Sequence, residues 1–456
     1  MLQIILTITI VVVVMLAIIK KFHPTSVIFA VSIISMLLYT LFTGNSVLGD
    51  KTTGSQFLDV FELVINTTKT QIAGNVLMCI LFVGYISYMD TLQANDLFAV
   101  YIGKALTVIK QKYLLTAMLV VVVAFMKLFL GSAIAVVMVL LSVLYPALRK
   151  AGCTNETICS SLLLGTIITW GPTDGGVVAT PGLAGVEYGA SEFFMDYQFI
   201  PCVITLLVMA VVSYFTSIYF DKKEAGKKDA VDTVSGLKDM STITCPKYYA
   251  ILPVLPMALI FLLGGRALPV SITTHAALLL SLAISLTVHL LSNLKRFRDA
   301  FNEIKGFYQG MGKAVTEYAF IIVAGSFLAT TINTVGGMKA LVVAIQNMGG
   351  GATLLTIIGG VLACIVTGLT VSYLANLNTF VPFLATIAEV TGGNVLRLAQ
   401  IANNCCGLGT GLTIAGNAIL FMSGMCKTDP VTVIKRNALP IFAGLVTMLT
   451  VSLILG

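Results

Sequence analysis

The sequence predicts an all-α polytopic membrane protein of two inverted repeats, each with about five transmembrane helices plus one re-entrant helical hairpin. Three observations predict it. First, 57% of the 456 residues are hydrophobic and 10% are charged, with mean hydropathy +0.98; a soluble domain carries about 25% charged residues. Second, the apolar residues come in runs of roughly 18–25, the length a helix needs to cross about 30 Å of hydrocarbon. Third, the same order of motifs occurs twice, about 240 residues apart. A porin-type barrel needs alternating segments of about 10 residues, and the sequence shows no such alternation.

Apolar spans read as 2–19, 24–43, 71–89, 157–182 and 198–219 in the first half. No basic region precedes the run from Leu2 to Ile19, and Lys20 and Lys21 follow it without a small-residue cleavage site. It therefore reads as a first transmembrane helix rather than a removed signal peptide. The polar stretch 221–247 is a linker that separates a first repeat, 1–220, from a second, 248–456. Spans in the second half read as 248–264, 269–292, 313–335, 394–424 and 431–455.

Two apolar runs, 113–148 and 351–388, are too long for one crossing. Gly131 and Ser132 interrupt the first, and Thr367 and Gly368 the second. Neither contains a polar loop that would sit in water, so each is expected to be a hairpin, at about 113–150 and 351–390. Two full spans joined by a tight turn would give the same parity.

Basic residues orient the spans. With the linker in the cytoplasm, Lys20–Lys21, Lys104–Lys112, Arg149–Lys150, Lys295–Arg298 and Lys435–Arg436 fall inside. The segment with Glu187, Glu192 and Asp196 falls outside, and both termini are expected to be external. The formal net charge of +7 thus reflects topology rather than nucleic-acid binding.

The repeat is carried by three landmarks. Leu130-Gly131-Ser132, then Pro146, then Trp170-Gly171-Pro172-Thr173-Asp174-Gly175 in the first half matches Thr367-Gly368-Leu369, then Pro382, then Thr410-Gly411-Leu412-Thr413 in the second. Five spans per half is an odd number, so the second half must be inverted. Inverted repeats with broken helices characterise secondary transporters, with the site near the midplane.

An unbroken helix satisfies its own backbone and offers nothing in lipid. A break exposes carbonyls to a cation and presents N–H groups to an anion. Gly131, Thr169, Gly171, Asp174, Gly175, Gly409 and Gly411 are therefore the candidates for cation binding. Lys127, Ser132, Thr173, Thr367, Gly368, Thr370, Asn403, Asn404, Thr410, Thr413 and Asn417 are the candidates for substrate binding. Hydroxyls and amides of this kind can also bond a neighbouring helix, and the glycines can serve close packing. Lys127 and Asp174 lie deep, where an unpaired charge costs about 2.5–3.5 kcal/mol on insertion scales. They either pair with each other, or Lys127 meets an anion while Asp174 binds a cation or proton. Glu317, Glu389 and Arg397 lie near span ends and reach the interface.

The nine cysteines show no ligand spacing, and His23, His275 and His289 are far apart. No phosphate loop and no catalytic set is readable, so neither an ATP-driven pump nor an enzyme is expected.

At these residues the chain resembles the C-type family of anaerobic four-carbon dicarboxylate carriers. The likeness is carried by Gln93-Ala94-Asn95-Asp96, Tyr113-Leu114-Leu115, Ser132-Ala133, Pro172-Thr173 with Gly175, Asp221-Lys222-Lys223-Glu224, Tyr249-Ala250-Ile251-Leu252-Pro253, and Gly424-Met425 followed by Val433-Ile434-Lys435-Arg436. The resemblance implies secondary transport of small carboxylates on the ion transporter superfamily fold. It also implies scaffold and transport domains, homodimers, elevator-like movement and a bacterial inner membrane. The sequence departs from the family where it has Thr410 in place of an arginine and Val371 in place of an asparagine. The family's acidic residue after Pro-Thr stands two positions beyond Asp174.

The expected function is a carrier of small organic anions coupled to Na+ or H+, with no cofactor. The alternatives are an anion exchanger or a channel.

Overall fold

The computed structural model describes residues 9–456 except 11, 15, 18–19, 21, 107, 110, 131–132, 173, 225–242, 264–271, 336–350, 371–372 and 414–416. The described residues form helices joined by short loops, with no strand among them. The first half contains α1 (Pro24–Thr43), α2 (Gln56–Gln71), α3 (Leu77–Thr91) and α4 (Ala94–Leu106). A hairpin follows, α5 (Lys112–Leu130) and α6 (Ala133–Lys150). Then come a broken span, α7 (Asn155–Thr166) and α8 (Gly175–Leu183), and the long α9 (Phe199–Lys223). The second half contains α10 (Leu255–Leu263), α11 (Thr274–Ser292), α12 (Lys305–Ala314) and α13 (Phe320–Val335). Its hairpin is α14 (Ala352–Thr370) and α15 (Tyr373–Thr391). Its broken span is α16 (Val395–Gly409) and α17 (Asn417–Cys426), and α18 (Pro430–Ile454) closes the chain.

Among the described residues, six helices are long and apolar enough to cross a membrane, and the bent pair Gln56–Gly74 with Leu77–Thr91 makes a seventh. The helices α7, α8, α16 and α17 are not among them, because each is too short to cross alone. The element order repeats. Lys112 and Ala352, Ala133 and Tyr373, and Asn155 and Val395 open matching helices 240 residues apart. Matching N-caps start α7 and α16: Thr154 accepts from the Thr157 N–H and Asn394 from the Arg397 N–H. Each cap supplies an acceptor to a helix terminus that would otherwise leave its first donors unpaired. The π-helical turns Ile72–Val76 and Val315–Ala319 also match, and they touch each other.

The helices α2, α4 and α12 were not expected from the sequence. They are not continuous apolar runs, so a search for span-length hydrophobicity passes over them. The α12 segment KGFYQGMGKA buries Gly306, Phe307, Gly310 and Ala314 along one face. That face lies on α3, where a Cβ at Gly310 would stand 2.6 Å from Ser87 Cβ.

The largest buried apolar cluster runs through the two hairpins, the broken spans, α9 and α18. In each half the first hairpin arm packs on its own broken span, α5 on α7 and α14 on α16. The arms of α9 and α18 pack along each other. Both hairpins turn at the level of a break, since Leu128 packs on Gly171 and Tyr373 on Gly176.

Lys435 and Arg436 lie in the first two turns of α18. Arg436 is buried and binds Asp221 at 2.9 Å, Glu224 at 2.6 Å and the Thr157 hydroxyl at 2.6 Å. Thr154 and Thr157 also donate to Asp221, and Lys112 lies 4.0 Å from it. Buried charges must be paired, and this network ties the starts of α5, α7 and α18 to the end of α9. Arg397 is likewise buried rather than interfacial. It donates to the Tyr197 and Asp196 carbonyls and stacks on the Tyr197 ring. Glu389 is exposed. The linker residues 225–242 lie outside the described residues.

Candidate functional site

The first break follows from a few neighbouring residues. Helix α7 ends at Thr166, and α8 begins at Gly175. Pro172 has no N–H and disfavours helical backbone at the residue before it. That residue, Gly171, adopts φ +85°, which a side chain strongly disfavours, and a Cβ there would collide with Leu128. Asp174 then takes extended backbone and caps α8, accepting from the Gly176 N–H at 2.9 Å. The Trp170 indole N–H donates to the Ala124 carbonyl at 3.0 Å, fixing the unwound stretch to the hairpin arm.

The unwound part is narrower than the candidate residues suggested: Gly175 and Gly409 are both helical. In the second half the helix tightens at Thr410–Leu412 and becomes extended at Thr413. Residues 414–416 lie outside the described residues.

Lys127 and Asp174 pair. The Lys127 ammonium stands 3.4 Å from Asp174 Oδ2, and both side chains are about nine-tenths buried. The same ammonium donates to the Thr166 and Ile168 carbonyls, each at 3.0 Å. Those carbonyls belong to the end of α7 and the unwound chain after it, where helical N–H partners run out. Each half-helix end at this break thus faces a charge of the sign its dipole favours: an ammonium at the C-terminus of α7 and a carboxylate at the N-terminus of α8.

The chain of contacts continues into the second half. The Tyr373 hydroxyl lies 3.3 Å from Asp174 Oδ1 and donates to Asn403 Oδ1 at 2.5 Å. Thr169 donates to the same Asn403 oxygen at 3.2 Å. Asn403 is fully buried, and among the described residues its amide Nδ2 has no hydrogen-bond partner. One polar line therefore runs Lys127, Asp174, Tyr373, Asn403, Thr169. It joins the first hairpin, both broken spans and the second hairpin.

Tyr373 is absent from the residues singled out by sequence. Its only local signal is position, five residues beyond Gly368 and 240 beyond Ala133. What seats it is distant: a Cβ at Gly176 would collide with its hydroxyl.

The other candidates make different contacts. Thr367 donates to Ala363 O and Thr410 to Gly407 O, each within its own helix or turn. Gly368 packs on Leu412 and Gly409, and Gly409 on the Cys364 carbonyl. A Cβ at Gly411 would stand 2.7 Å from Ile441 Cδ1. These glycines bring backbones together rather than lining a space. Asn404 accepts from the Gln198 amide at 3.1 Å and lies 2.7 Å from Cys202 Sγ, on the side facing the start of α9. Thr413 is buried. Gly175 is the first residue of α8. Gly131, Ser132 and Thr173 lie outside the described residues, and of Thr370 and Asn417 only the helical backbone is described.

Among the described residues, two neighbouring cavities open beside the first π-helical turn, away from this line. One, of about 380 Å³, is lined by Thr70, Gln71, Gly182, Tyr188 and His275 among others. The second, of about 300 Å³, shares Thr70, Gln71 and Gly182 and reaches Ser326 and Thr330. Both adjoin the first π-helical turn and the end of α8.

Comparison with known proteins adds a second line of evidence. A family model described as C4-dicarboxylate anaerobic carrier matches residues 2–455. A probable anaerobic C4-dicarboxylate transporter, DcuC, of Vibrio cholerae serotype O1 is 26% identical over 448 residues, covering 96% of this chain and 94% of the relative. The Escherichia coli K12 anaerobic C4-dicarboxylate transporter DcuC is 26% identical over 445 residues, covering 95% and 92%. The fold is similar to that of the Neisseria gonorrhoeae efflux pump MtrF, with TM-score 0.66 at 14% identity over 95% of this chain and 96% of that one.

Proposed function

The chain belongs to the C4-dicarboxylate anaerobic carrier family, and on that premise we propose that it is a secondary carrier of small organic dianions whose site lies at the two helix breaks. The observation that carries the reading is the orphan donor at Asn403. A buried amide N–H without a partner costs roughly 1–3 kcal/mol, and a carboxylate oxygen would satisfy it. It belongs to a polar line whose formal charges already cancel. Ser132, Thr173, Thr370, Thr413 and Asn417 are the proposed further donors, since hydroxyls and amides suit a carboxylate.

The cavities beside the first π-helical turn are the proposed approach from outside, and their size is within the range of ligand pockets. The two halves are read as inverted repeats, with the hairpins and broken spans moving as one body against the remaining helices. In this orientation the 221–247 linker faces the cytoplasm of a bacterial inner membrane. Dimerisation and an ion gradient as the driving force belong to the same reading.

The test is ligand binding by the purified chain. Succinate and fumarate should raise its melting temperature, and butyrate, of equal length but with one carboxylate, should not. No response to any four-carbon dicarboxylate would refute the reading.

A further inference from the structure

The position held by Lys127 is a cation position, and its ligands are all oxygen. Broken-helix carriers use unwound carbonyls and half-helix C-terminal ends to hold a coupling cation. Here the C-terminal end of α7 and the unwound chain offer the Thr166 and Ile168 carbonyls, and Asp174 adds a carboxylate. A set of one carboxylate and two carbonyls suits a hard cation. The group found among them is an ammonium. Two of its N–H donors go to the carbonyls at 3.0 Å, and Asp174 Oδ2 stands 3.4 Å away as its counter-charge. Its stem rises from the first hairpin arm, so this positive charge is covalently held and cannot leave with the substrate.

We propose that Lys127 is a tethered cation standing in place of a sodium ion, so that the first break takes no sodium during transport. The proposal rests on reading the breaks as the carrier's site. It makes Lys127 the residue that sets ion selectivity at this break: the counter-charge of Asp174 is supplied by the chain and not by the medium. Two features support it beyond the distances. The site is closed, with both side chains about nine-tenths buried. Asp174 is also anchored by the Gly176 N–H and faces Tyr373, so its carboxylate would remain in place if the ammonium were removed.

The test compares the purified full-length chain in sodium chloride and in choline chloride at equal ionic strength, reading melting temperature and bound ²²Na+. Removing the side chain in Lys127→Ala leaves the carboxylate and both carbonyls around a vacancy. This variant should bind ²²Na+ and melt higher in sodium than in choline, and the added change Asp174→Asn should abolish both effects. In the wild-type chain, Asp174→Asn should leave sodium binding unchanged. Sodium binding by the wild type that Asp174→Asn removes would overturn the proposal, and so would a Lys127→Ala chain that folds yet ignores sodium. If Lys127→Ala folds in neither salt, the wild-type and Asp174→Asn comparison still decides. Succinate binding is read on the same samples: a wild type that binds no succinate refutes the carrier reading, whereas one that binds succinate only with sodium held at Asp174 refutes the tethered cation alone.

Discussion

Asn403→Asp is expected to weaken succinate binding by roughly 10–150-fold, the equivalent of losing one hydrogen bond to a charged group. The substitution is nearly isosteric. It keeps an oxygen to accept from Tyr373 and Thr169, so the line across the two halves is preserved. It removes the buried N–H donors that have no partner among the described residues. It also places a second carboxylate beside Tyr373, across from Asp174, where a dianion would meet like charge. Isothermal titration of the variant against the wild type measures the loss. Wild-type affinity in a folded Asn403→Asp chain would remove this amide from the site.

The second large effect is on stability. Lys127→Ala or Asp174→Ala alone leaves one buried charge without its partner, a loss of about 3–5 kcal/mol where such pairs are fully enclosed. The double variant leaves neither charge, so it should recover much of that loss. Recovery stops short of complete because the Thr166 and Ile168 carbonyls still lack the ammonium. Thermal unfolding in choline chloride, which offers no small cation to replace the lysine, gives the coupling directly as a double-mutant cycle. Additive losses in the two single variants would show that the pair seen at 3.4 Å contributes nothing as a pair.

Much of the fold is legible in the sequence where a local cause exists. The span 24–43 coincides with α1, which has proline at its first position and Gly44 just past its end. The first break is written in the pair Gly171-Pro172, a glycine free to take positive φ followed by a proline that disfavours helical backbone before it, and in Asp174, which can start a helix. The start of α16 is marked by Asn394, an N-cap residue. Where causes are tertiary the sequence is silent. The α12 helix exists because glycines fit its face to α3, and its composition alone does not say so.

The site divides in the same way. Lys127, Thr169, Asp174 and Asn403 stand out as polar groups in apolar runs, and the structure brings them together. Their partners could not be read in advance, since Tyr373 reaches them across 199 residues from Asp174 and 30 from Asn403. Thr367, Thr410 and Asn404 carry the same local signal. They bond their own helix, their own turn or Gln198, because a buried hydroxyl or amide takes the nearest polar partner.

Carrier and channel differ in one observable. In a carrier the loaded site must return before it can work again, and substrate on the far side speeds that return. Counterflow of labelled succinate in proteoliposomes containing the purified chain tests this directly. Unlabelled succinate loaded inside should drive transient accumulation of label above its outside concentration, and butyrate inside should not. Label that merely equilibrates, at the same rate with or without internal succinate, would contradict a carrier at the helix breaks.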